Sequence, residues 1–76
     1  MKNNKFTYYQ VIQQNYGQGW EDVSHYKTNS SGYCIERTEK LNSKGKMQSF
    51  SNCSIDLKEY QLTGYPTRTI NRKELN

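Results

Sequence analysis

The sequence predicts a small α+β domain: an antiparallel sheet built from a hairpin, a second inserted hairpin and a closing strand, with one short helix. Three observations carry this. Two strand-forming runs flank the glycine-containing turn Asn15-Tyr16-Gly17-Gln18-Gly19. A second reversal is written in Asn42-Ser43-Lys44-Gly45. A segment with Ser51, Asn52 and Ser54 at its start closes on Gly64 and Pro66, the punctuation of a helix.

Residues 6–14 read as the first strand, rich in the aromatic and β-branched residues that suit a pleated surface. Strand alternation puts Tyr8, Gln10 and Ile12 on one face and Tyr9, Val11 and Gln13 on the other. Apolar groups on both faces predict a central strand, covered on one side and partly on the other. Gly17 and Gly19 supply the positive φ of a tight reversal. Residues 20–27 then read as the return strand, with Trp20, Asp22, Ser24 and Tyr26 on one face and Val23 and His25 on the other.

After the break at Asn29-Ser30-Ser31-Gly32, the spacing of Tyr33, Arg37 and Leu41 and the Glu36–Lys40 pair would also suit a helix. The turn at 42–45 favours a hairpin, with 34–41 against 46–50, because Asn first and Gly fourth fit a type I turn closed by a glycine bulge. Residues 52–63 read as the helix, with Ile55, Glu59 and Leu62, and Leu57 and Tyr60, outlining a partly apolar face. Residues 67–72 make the last strand, with Ile70 inward between Arg68 and Arg72. The termini, 1–5 and 73–76, are expected to fray.

Seventy-six residues make one domain, 1–76, and a chain this short has a thin margin of stability. Aliphatic residues are few and alanine is absent; seven Tyr, two Phe and one Trp fill the gap. Such rings bury apolar area while their polar ends reach water or a partner. The formal net charge is +4, with no block of like charges. Nothing approaches the length of a membrane span and no apolar signal segment stands at the N-terminus, so the cytoplasm is the expected compartment, without membrane contact.

No constellation for catalysis is present. His25 is the sole histidine, and a strand histidine is ordinarily a surface side chain. Cys34, Cys53 and His25 lack the close spacing of zinc ligands, so the cysteines read as two small buried thiols. No metal or cofactor is expected. Glu21 and Asp22 point to opposite faces of a strand and cannot act together. Gly17-Gln18-Gly19 lacks the lysine and the helix of a phosphate loop. Ser31-Gly32-Tyr33-Cys34-Ile35 lacks the basic and second aromatic residues of an RNA-binding strand. Arg68, Arg72 and Lys73 form the densest basic cluster, whose ordinary role is to keep an edge strand soluble.

Two stretches carry a resemblance. Residues 9–23, from Tyr9-Gln10-Val11-Ile12 through Asn15-Tyr16-Gly17-Gln18-Gly19-Trp20-Glu21-Asp22-Val23, resemble the opening of a group of small phage-encoded proteins. Leu57-Lys58-Glu59-Tyr60 and Tyr65-Pro66-Thr67-Arg68 resemble their ending. The likeness covers about half the chain, outside 29–50, which looks like an insertion. It implies a phage or prophage source, hence the host cytoplasm, and accessory roles such as inhibiting or redirecting a host protein, for example a defence component; it implies no reaction.

A non-catalytic binding protein is therefore expected, acting on a host protein. Aromatic residues and arginine dominate binding hot spots, which singles out Tyr16, Trp20, Arg68 and Arg72, although the ordinary role of Trp20 is core packing. Binding of nucleic acid is the alternative, from the charge and the tyrosines, and sequestration of a small anionic signalling ligand a third. A homodimer is also expected, because a monomer should leave some of Phe6, Tyr8, Tyr9 and Phe50 exposed.

Overall fold

The structure, a computed structural model, describes residues 5–76. Strands β1 (Phe6–Asn15), β2 (Trp20–Thr28) and β5 (Thr67–Leu75) form an antiparallel sheet in the order β2-β1-β5. Strands β3 (Arg37–Leu41) and β4 (Met47–Ser51) form a separate two-stranded ribbon, and helix α1 (Asn52–Gln61) leads from the ribbon back to the sheet. This is the α+β architecture that the sequence predicts, with β1 at the centre.

The helix covers one face of the sheet. Its Cys53, Leu57 and Tyr60 pack with Ile12, Val23, Tyr26 and Cys34 in a single core cluster. These helical positions are spaced by four and three residues and so share one stripe. Leu62, expected on that stripe, follows the last turn and is 86% exposed. Ser51 caps the helix, its hydroxyl accepting from the Ser54 N–H at 3.0 Å. Tyr26 places its hydroxyl between two partners, donating to Asp56 Oδ2 at 2.5 Å and accepting from Ser24 at 2.8 Å. Burial, together with the Asp56 carboxylate, raises the Tyr26 hydroxyl well above its ordinary pKa, so it stays protonated.

The register of β2 corrects the sequence reading. Ile12 pairs with Ser24 and Gln13 with Asp22, so Val23 is an extra residue, a β-bulge. Alternation therefore breaks at Val23. Ser24 and Tyr26 point with Ile12 towards the helix, and Val23 joins the core rather than sharing a face with His25. Trp20 and Asp22 pass to the opposite face, with Val11 and His25. The Tyr60 hydroxyl donates to the carbonyl of Val23 at 3.3 Å, so the helix holds the bulge.

The C-terminus also departs from expectation. Lys73, Glu74 and Leu75 are paired with Tyr8, Thr7 and Phe6, and the Asn76 N–H donates to the carbonyl of Lys5 at 2.8 Å. Its terminal position made this segment look loose, but a strand needs only a partner for its backbone, and β1 offers one along its whole length. Residues 1–4 of the expected N-terminal fray lie outside the described residues.

The ribbon follows the predicted turn. The Gly45 N–H donates to the carbonyl of Asn42 at 3.0 Å, Gly45 has φ 77°, and the Asn42 side-chain oxygen accepts from the N–H groups of Lys44 and Lys46. Regular pairing begins at Arg37 rather than at Cys34; Cys34 instead bridges to Thr28 at the end of β2. Glu36 anchors the base of the ribbon, its carboxylate accepting from the Lys27 N–H and its carbonyl from the Asn52 N–H, both at 2.8 Å.

Gln14 ties the far end of the sheet to the helix. It is 2% exposed. Its amide nitrogen donates to the Tyr60 carbonyl and to the hydroxyls of Thr63 and Thr67, and its oxygen accepts from the Tyr16 hydroxyl at 2.6 Å. Replacing it strands several buried partners at once, at roughly 1–3 kcal/mol per unsatisfied group. Gln14→Ala is expected to lower the unfolding free energy by about 2–3 kcal/mol, read as a reduced urea midpoint with an unchanged slope.

Candidate binding face

The face of the sheet turned away from α1 carries no helix and no further strand among the described residues. The described chain is a slab only 13 Å deep along its shortest axis. Its radius of gyration is 14.7 Å, against about 11 Å for a compact chain of this length. Yet Val11, on that open face, is 1% exposed. It is covered by side chains of its own sheet.

A rung of three residues crosses the sheet beside it: Arg68 on β5, Gln13 on β1 and Asp22 on β2 stand side by side. Arg68 Nε donates to Gln13 Oε1 at 2.9 Å, and Gln13 Nε2 donates to Asp22 Oδ1 at 2.8 Å. Arg72, two steps along β5 on the same face, beyond Ile70, closes on both oxygens of Asp22 as a two-pronged ion pair. At the other end the Arg68 guanidinium lies over the Trp20 ring, 4.2 Å from its centroid. Trp20, Arg68, Gln13, Asp22 and Arg72 thus form one connected chain. Next to it Tyr9 and His25 meet edge to face, with ring centroids 5.4 Å apart. Ile70 lies opposite Val11 and completes the patch.

Three of the four residues singled out in the sequence, Trp20, Arg68 and Arg72, come together here. Trp20 is 38% exposed and is not a core residue. Tyr16 does not join them. Its hydroxyl donates to Gln14, whose side chain points to the helix side, and its ring packs edge-on against Tyr65 at 4.7 Å. Gln13 and Asp22, which connect the network, were missed. The available signal was the two-residue spacing of Asp22 from Trp20, which fixes their common face.

The charges of the face are largely internal. Hydrogen bonds from Arg72 and then Gln13 lower the Asp22 carboxyl to a pKa of about 2. Arg68 and Arg72, two members of the densest basic cluster, are occupied by Gln13, Trp20 and Asp22; the third, Lys73, lies over the Phe6 ring at 4.5 Å. The groove under loop 29–32, lined by Tyr8, Asn71, Arg72 and Lys73 among others, therefore meets an anion with cations already engaged.

Other candidates are separated by the sheet. His25 is exposed on the open face, whereas Cys34 and Cys53 are buried, unpaired thiols in the helix-side core. They cannot work as a Cys–His pair. Glu21 pairs with Gln14 on the helix side, opposite Asp22. No group of three or more potential metal ligands gathers among the described residues, and no described helix is long and apolar enough to cross a membrane. Set against protein-family models, curated proteins and solved structures, the chain matches none. The resemblance to small phage proteins stands on its motifs alone.

Two outcomes follow. The lowered pKa of Asp22 makes its stabilisation complete above about pH 4 and lost as pH falls through about 2. The pair is open to solvent, so the effect is modest. In a carboxyl-carbon NMR titration, Arg72→Met should move the Asp22 midpoint up towards 4, and its stability deficit relative to the native chain should vanish below pH 2. Burial, reinforced by nearby Cys34, pushes the Cys53 thiol up to about 11. Both thiols are buried, so both should resist alkylation at pH 7.5 in the folded protein and react readily in denaturant.

Proposed function

We propose that this chain is a non-catalytic binding protein whose uncovered sheet face docks on a protein partner. The observation that carries this reading is the fixed network of Trp20, Arg68, Gln13, Asp22 and Arg72 beside the buried Val11, on a face that no helix or further strand among the described residues covers. Tryptophan, tyrosine and arginine dominate protein hot spots. Side chains already held by one another lose little freedom on docking, so less of the contact energy is spent in ordering them. The motifs shared with small phage proteins make a host protein the first partner to test, with inhibition or redirection as the consequence.

A nucleic acid or a small anion fits this face less well. Its two arginines are committed within the face, and Asp22 and Glu74 border the dimple over Val11 together with Tyr9, His25 and Arg72. A second copy of the chain is the competing occupant. Phe6, Tyr8, Tyr9 and Phe50, some of which a monomer was expected to leave exposed, are all partly buried.

The test combines capture from host lysate with light scattering on the purified protein. A stoichiometric partner should be retained by the native chain and by Lys44→Gln, and lost with Trp20→Ala and with Arg68→Ala. Each of these two should weaken binding at least tenfold, about 1.4 kcal/mol. A mass that doubles with concentration, and that the same two substitutions abolish, assigns the face to self-association. A constant monomer mass with no captured protein overturns the reading.

A further inference from the structure

The three arginines are all engaged within the protein. Arg37 donates to Ser49 and to the Cys34 carbonyl and lies over the Tyr33 ring; Arg68 and Arg72 belong to the open face. The unengaged cations are lysines, and their placement is uneven. Between Arg37 and Ser51 stand four cations, Arg37, Lys40, Lys44 and Lys46, and one anion, Glu39. Fifteen residues therefore hold three of the chain's four net positive charges.

These residues are the β3–β4 ribbon. Lys40, Lys44 and Lys46 are exposed, and among the described residues no ion pair or side-chain hydrogen bond engages their ammonium groups. Lys40 lines one groove with Lys58 of α1, together with Phe50, Ser54, Ile55 and Glu59. A line of free ammonium groups thus runs from the helix through Lys40 to the tip. On the other face of the ribbon Leu41 and Met47 stand opposite each other, 68% and 60% exposed. Among the described residues no third strand supports the ribbon, which is anchored at its base. Each strand has five residues, an arm of about 17 Å.

We infer that the β3–β4 ribbon is an arm that enters the major groove of duplex DNA, with Lys40, Lys44, Lys46 and Lys58 meeting phosphates. The groove is about 12 Å wide and admits a two-stranded ribbon, whereas the major groove of A-form RNA is deep and narrow. The line of ammonium groups on the ribbon, continued by Lys58 of the helix, offers cations to the phosphates that border that groove. The exposed pair Leu41 and Met47 is suited to the methyl groups that thymine presents in that groove. The site is separate from the open face, and either can fail without the other.

Fluorescence anisotropy with a labelled 20-base-pair duplex tests this, with the same sequence as single strand and as duplex RNA for comparison. The native chain should bind duplex DNA most tightly, with log K falling against log salt with a slope of about −3 for three to four phosphate contacts. Lys44→Gln and Lys46→Gln should each reduce that slope by about 1. Lys27→Gln, which removes the same charge from β2, should leave it unchanged; melting curves confirm that all three variants fold. Equal losses with Lys27→Gln would show attraction by net charge alone and overturn the assignment. Equal affinity for single strands or duplex RNA, or binding to vesicles of anionic phospholipid with none to DNA at 50 mM salt, also overturns it.

Discussion

Val11 and Ile12 are neighbours in the central strand, so they face opposite sides of the sheet, and both are almost wholly buried, at 1% and 0% exposure. The chain has one helix to cover them. Everything else in the molecule answers this constraint. Ile12 receives the helix, and with it a compact cluster of two thiols, two tyrosines, a valine and a leucine. Val11 receives no helix or further strand among the described residues, and its neighbours on that face are long polar and aromatic side chains of its own sheet. Hydrocarbon is scarce in this sequence, so the aliphatic parts of arginine and glutamine and the rings of Tyr9 and His25 take its place. A cover of this kind stays in position only if its polar ends are satisfied, which explains why the open face carries a continuous hydrogen-bonded chain rather than scattered charges.

The extra residue at Val23 makes the two sides chemically different. In an unbroken β2, Trp20 and Asp22 would lie with Tyr26 against the helix, where a carboxylate without a partner is costly to bury. One inserted residue sends them to the other side, where Arg68, Gln13 and Arg72 await them, and adds Val23 to the core. The helix fixes the bulge through Tyr60, and Gln14 fixes the end of the helix through the carbonyl of that same tyrosine. Site and core therefore share one set of constraints.

Much of this fold was legible. The alternation in β1, the asparagine–glycine turn of the ribbon and the serine cap of α1 are local signals, and each acts through the backbone of a few adjacent residues. The bulge left no such mark, because Val23 suits a strand on either face, and its location depends on pairing with a strand that only the folded chain supplies. The same holds for β5, whose last residues are polar and become ordered through backbone partners. At the open face, the spacing of Arg68 and Arg72 gave their common side, but nothing local joins Arg68 to Gln13 and Asp22. That rung exists only once β1, β2 and β5 are in register. The tip of the ribbon was legible as a turn and silent as a site, since its lysines stand out only when the other cations prove to be occupied.

The segment 29–50 looks, in the sequence, like an addition to a simpler hairpin–helix–strand unit. Its Cys34 is 4% exposed and belongs to the same core cluster as Ile12 and Cys53. The segment thus supplies part of the core around which the helix and the sheet close. A chain without it would lose one wall of that core, beside Cys53, so the arm cannot be removed without opening the body of the domain.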